Sequence, residues 1–196
     1  MKTTRITRAT LFLATLLFLP TLAQAHVGVG PTSGFFHGIA HPLSGLDHLC
    51  AMMAVGLWAA QRGGRALWAV PLSFLSVMAV GAAMGMAGIS VPFVEQGIVA
   101  SVLLLGVLIA TAVRLPVVAS AILVGLFALF HGHAHGTEMP VTASGFAYGA
   151  GFVMATAMLH AAGLGLGIAI QRLASSTWIR ATGGAIACCG LYLLVA

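Results

Sequence analysis

Imidazole and carboxylate side chains cluster in two short stretches of an otherwise apolar chain. The first, HPLSGLDH, contains His41, Asp47 and His48 and follows His37 by one helical turn. The second, FHGHAHGTE, carries His131, His133, His135 and Glu138. Only 6% of the 196 residues are charged, and an ionisable group inside a bilayer is costly enough to mark function by default. Nitrogen and oxygen donors without cysteine thiolates suit Ni, Co, Zn, Cu(II) or Fe, and suit Mg or Ca poorly. The chemistry indicated is coordination of a divalent transition metal.

Helical geometry sharpens that reading. With roughly 100° of rotation per residue, His37, His41 and His48 fall within about 40° of one another, and Asp47 lies about 80° to one side. From there Asp47 can ligate, or can hold a ligating ring in place. Pro42 biases His41 away from the helical region, so the first helix either kinks or starts there; in the second case His37 belongs to a separate segment. His131, His135 and Glu138 also share about 40° of arc, while His133 points to the opposite side. His160, taken alone, reads as a polar contact between helices.

The elements that must position these residues are membrane helices. The sequence is 60% hydrophobic with a mean hydropathy of +1.09, above what a soluble domain shows. Lys2, Arg5 and Arg8 precede the apolar run Ala9 to Leu19, and Ala23-Gln24-Ala25 has the small-x-small form of a cleavage site. Residues 1–25 therefore read as a cleaved signal peptide. Residues 26–196 read as a single domain, an all-α polytopic membrane bundle of six transmembrane helices at about 33–60, 66–88, 92–112, 116–137, 143–170 and 178–196.

Arg62 and Arg65 fall in loop one, Arg114 in loop three, and Arg172 and Arg180 beside loop five. The positive-inside rule puts these loops in the cytoplasm. The mature N-terminus at His26 is then outside, in agreement with a cleaved signal, and both donor stretches lie near the outer ends of their helices. Asp47, Glu95 and Glu138 are the only acidic residues. The pI of about 9.9 thus reflects scarce acid, and no nucleic-acid partner is indicated. Gly81-x-x-x-Gly85 and Gly145-x-x-x-Gly149 suggest close helix approach. The nine methionines read as core filling, and Cys50, Cys188 and Cys189 read as structural packing.

HPLSGLDH and FHGHAHGTE resemble the H-x5-D-H and F-H-G-x-A/V-H-G-x-E motifs of the HupE/UreJ family of bacterial membrane proteins. The resemblance implies a nickel or cobalt permease of the inner membrane. It implies metal-handling roles for His41, Asp47, His48, His131, His135 and Glu138, with His133 at the variable position. The segment Leu159-His160-Ala161-Ala162-Gly163 also resembles the family and brings His160 into the candidate set beside His37. A nickel-enzyme maturation system, for hydrogenase or urease, is the implied protein partner.

The function expected is a secondary permease or facilitator that binds Ni2+ or Co2+, with Zn2+ also compatible, and has no tightly bound cofactor and no catalysis. His26 and Glu95 would meet the ion at the outer face, and His160 would relay it inward. No G-x-x-x-x-G-K-[ST] pattern occurs, so the chain carries no P-loop of its own. A rival class is an intramembrane metal-dependent hydrolase or oxygenase acting on lipid, with Glu138 as general base. Paired histidines also suit b-type haem, although that leaves the carboxylates without a role.

Overall fold

The computed structural model describes residues 33–139 and 144–196. The expected signal peptide and His26 lie outside the described residues. Among those described, the regular elements are seven helices: α1 (Ser33–Ser44), α2 (Leu46–Arg62), α3 (Ala66–Met86), α4 (Val94–Thr111), α5 (Val117–Thr137), α6 (Gly145–Leu173) and α7 (Ser176–Val195). Each of α3 to α7 is long and apolar enough to cross a membrane, and α1 with α2 makes a sixth span if the bent pair is counted as one. The chain is a multi-pass membrane protein.

The expected first span over 33–60 is two helices that meet at 84°. Pro42, the residue expected to kink or start the helix, lies inside α1. The break falls three residues later, where Gly45 is extended at φ −94 and ψ 128 and serves as the N-cap of α2. Proline removes a backbone N–H and disrupts the preceding turn, so little holds α1 together beyond it. The Ser44 hydroxyl donates to the carbonyl of His41 at 2.6 Å and satisfies one terminal acceptor there. This bend corrects the single-stripe reading: His37 and His41 ride on α1, whereas Asp47 and His48 ride on α2.

Other ends follow local chemistry. Gly63 and Gly64, at φ +68 and +55, stop α2 in a left-handed conformation that glycine adopts freely. Pro116 precedes α5, where its fixed φ is already helical. The Ser144 side chain accepts from the Ala147 N–H and caps α6.

Ten of the seventeen α2 residues are buried, which makes α2 the central post; it packs against α3, α4, α6 and α7. Met52, Leu57 and Trp58 of α2, Phe74 and Met78 of α3, and Leu105 and Ile109 of α4 form the core. The closest pairings are α3 with α5, α4 with α7, and α6 with both α1 and α2.

Small residues set these distances, as expected for Gly81 and Gly85, which lie against the α5 backbone. The Gly145–Gly149 pattern behaves differently: Gly149 faces open space and Gly145 meets only the sulfur tips of Met86 and Met139. Spacing alone does not say which face of a helix is apposed. Met52 and Met78 fill the core, whereas Met86 is exposed. The Cys50 and Cys189 sulfurs touch at 3.4 Å, but Cys188 is exposed on α7, because neighbouring helical residues cannot both face inward.

Candidate metal centre

The glycines of the second donor stretch determine where its histidines point. A methyl group on Gly132 or Gly136 would run into the carbonyl oxygens of Met78 or Ala82 on α3. Backbone contact on that face turns His131 and His135 the other way, towards α1 and α2, and both are almost fully buried. His133, as expected, departs from them: its Nε2 donates to the carbonyl of Ile89 at 2.7 Å.

Three donors converge at one end of the bundle. His41 Nε2 of α1 lies 2.9 Å from Glu138 Oε2, which follows α5, and His135 Nδ1 lies 3.9 Å from the same oxygen. One donor atom from each of His41, His135 and Glu138 lies within 4.8 Å of the others. They line a pocket of about 200 Å³ that also contains Asp47, His48 and Glu95. Glu95, expected only to meet an incoming ion at the surface, thus shares the pocket with the donors.

Further rings continue inward. His48 Nδ1 pairs with Asp47 Oδ2 at 3.2 Å, the orienting contact the sequence allowed for this carboxylate. The His48 ring centroid is 4.1 Å from that of His135 and 4.6 Å from that of His131. Beyond His131 the Phe74 ring intervenes, 5.7 Å from His131 and 5.0 Å from His160. His160 is therefore buried on α6 but separated from the other imidazoles by a phenyl ring. His37 does not line the pocket; it sits one turn before His41 on α1, farther from the junction with α2.

The buried nitrogens test whether a metal suits this arrangement. Among the described residues, His48 Nε2, His131 Nδ1, both nitrogens of His135 and both of His160 have no hydrogen-bond partner. A buried polar atom without a partner costs about 1–3 kcal/mol. An incoming cation that takes imidazole lone pairs would remove much of that cost, so the donor set fits a borderline divalent ion.

Two neighbours escaped the sequence reading. Ser101 Oγ lies 2.8 Å from His131 Nε2, and Tyr148 packs its ring 6.2 Å from that of His41. A hydroxyl in the apolar run VASVLLLG was the available signal for Ser101; nothing in its spacing tied it to a histidine thirty residues later.

Apolar spans with imidazoles and carboxylates gathered at one end define a polytopic membrane protein carrying a candidate divalent-metal site. The chain belongs to the HupE/UreJ family: a family model described as HupE / UreJ protein matches residues 13–193. It is similar to Protein HupE of Rhizobium leguminosarum bv. viciae, with 47% identity over 179 residues, or 91% of this chain and 93% of that protein. No solved structure matches it.

Proposed function

We propose that the chain is a secondary permease or facilitator for a divalent transition metal ion, nickel first and cobalt second. The observation that carries this reading is the convergence of His41, His135 and Glu138, from two separate helices, within 4.8 Å. The ion exchanges part of its water shell for imidazole and carboxylate in the pocket. His48, held by Asp47, and then His131 offer the next donors, and His160 lies beyond Phe74. Graded donors suit transport better than one closed cage, because an ion bound too tightly cannot leave.

In this reading the protein lies in the bacterial inner membrane with the histidine end facing the periplasm and the arginine-bearing loops in the cytoplasm. A gradient, the membrane potential or a partner supplies the driving force. Nickel delivered inside would feed a hydrogenase or urease maturation system. The preference for nickel over cobalt or zinc rests on family membership, since ligand type alone does not choose among them. The lipid-directed hydrolase or oxygenase is not favoured by that membership.

The test is accumulation of radioactive nickel and cobalt in cells. His41→Ala and His131→Ala should each abolish it while the amount of protein in the membrane stays unchanged. Normal uptake in both variants would overturn the proposal, and turnover of a lipid by metal-loaded protein would transfer support to the enzyme.

A further inference from the structure

Away from the histidines, the bundle has a second polar cavity, of about 310 Å³, lined by Gln61, Arg62, Arg114, Gln171, Ser176 and Arg180 among others. We propose that it is an anion site for a phosphate group, carried by an anionic phospholipid headgroup or free in solution. The proposal stands whether or not the chain transports a metal.

The distribution of charge is the first support. Asp47, Glu95 and Glu138 are the chain's only acidic side chains, and all three line the histidine pocket. Asp47 and Arg62 lie near opposite ends of α2, and at 1.5 Å per residue they are about 22 Å apart. None of these three carboxylates can therefore neutralise the three guanidinium groups gathered at the other cavity.

Hydrogen bonding is the second. A guanidinium presents five N–H donors and cannot lose its charge. Arg62 Nη2 donates to the Leu115 carbonyl, Arg180 Nε to that of Ala110 at 2.8 Å, and Gln61 Nε2 to that of Ile109 at 3.0 Å. These contacts satisfy acceptors at and just after the end of α4, a position that favours cations. They use one donor from each arginine. Arg62 Nε is buried without a partner, and Arg114 makes no side-chain hydrogen bond among the described residues.

Helix α7 adds a third. Its N-cap, Ser175, makes no side-chain capping bond; the Trp178 N–H donates to the Ser175 carbonyl, and the Ser176 N–H beside the cavity, with no backbone partner among the described residues, is left for an anion, with the helix dipole in the favourable sense.

The topological role of positive loops does not account for this geometry. That role requires arginines near the ends of spans, a condition Arg65 and Arg172 meet without lining the cavity. Convergence on one cavity of Arg62 from the end of α2, Arg114 from the segment between α4 and α5, and Arg180 from the start of α7 is an additional property. Basic pockets between membrane helices match phospholipid headgroups, and charge-assisted bonds from arginine to phosphate are the strong kind.

The test uses the full-length protein in non-ionic detergent. Native mass spectrometry counts retained phosphatidylglycerol, cardiolipin and phosphatidylcholine, and thermal unfolding is followed with and without inorganic phosphate. Arg114→Gln with Arg180→Gln should weaken binding of the anionic ligand at least tenfold, whereas Arg65→Gln with Arg172→Gln, an equal loss of charge, should leave it unchanged. Because Arg180 also caps α4, Arg114→Gln alone is the second variant and should weaken binding in the same direction. Selective retention of anionic lipid supports the site with a lipid source; stabilisation by phosphate alone supports it with a soluble source. Equal loss in both double variants, or no preference for anionic ligands over phosphatidylcholine, would overturn the proposal.

Discussion

A single hydroxyl decides which nitrogen His131 offers. The Ser101 hydroxyl donates to the Ile98 carbonyl at 2.6 Å, so its oxygen accepts from His131 Nε2 at 2.8 Å. That fixes the neutral tautomer with the proton on Nε2 and the lone pair on Nδ1, the atom left buried without a partner. Groups that orient a ligating histidine typically change metal affinity about 10–100-fold when removed. Ser101→Ala should weaken Ni2+ binding to that extent in a calorimetric titration and leave thermal stability nearly intact; unchanged affinity would remove the orienting role. His131, His135 and Glu138 were legible as candidates because donor type and helical spacing coincide, whereas His41 and His48 were legible by donor type alone, since they ride on separate helices. Ser101 was not, since a serine in an apolar helix ordinarily bonds its own preceding turn, and this one does that as well.

Between residues and fold, close helix approach does most to position the donors. The α3–α5 contact is made by Gly81 and Gly85 on one side and by Gly132 and Gly136 on the other, and it turns His131 and His135 into the bundle. Because the Gly132 position meets backbone, which cannot swing aside, Gly132→Ala should cost about 1–3 kcal/mol by overpacking. The expected readout is a lower unfolding temperature together with weaker metal binding; an unshifted transition would mean that the helices separate freely.

The five later spans were legible in length and hydropathy to within a few residues. The first was not, for a physical reason: a straight-helix wheel carries no information about a break. His37 was placed with His41 and His48 on the assumption of continuous rotation through Pro42 and Gly45. The 84° bend takes His37 and His41 off the helix that carries His48, and His41 alone of the two stands next to His135 in the pocket.

Across the whole molecule, charge is sorted to the two ends. The three acids line a pocket with His41, His48 and His135 at one, and Arg62, Arg114 and Arg180 gather at the other. The positions of the arginines along the sequence had suggested that they share one side, and the structure brings Arg62, Arg114 and Arg180 together at one cavity. The direction of this sorting across the membrane is open to labelling. In a variant lacking the three native cysteines, Gln96→Cys should react with an impermeant maleimide on intact spheroplasts, whereas Ala174→Cys should react only after permeabilisation. The reverse pattern would place the histidine end in the cytoplasm.

The central claim, that donors from α1 and α5 together carry an ion through the bilayer, is tested most directly in proteoliposomes loaded with a nickel-sensitive dye. Purified protein should admit external Ni2+ faster than empty liposomes do. His135→Ala and Glu138→Gln, reconstituted at the same density and with unchanged unfolding temperature, should fall to the empty-liposome rate. Influx at the unaltered rate in both variants would contradict the account.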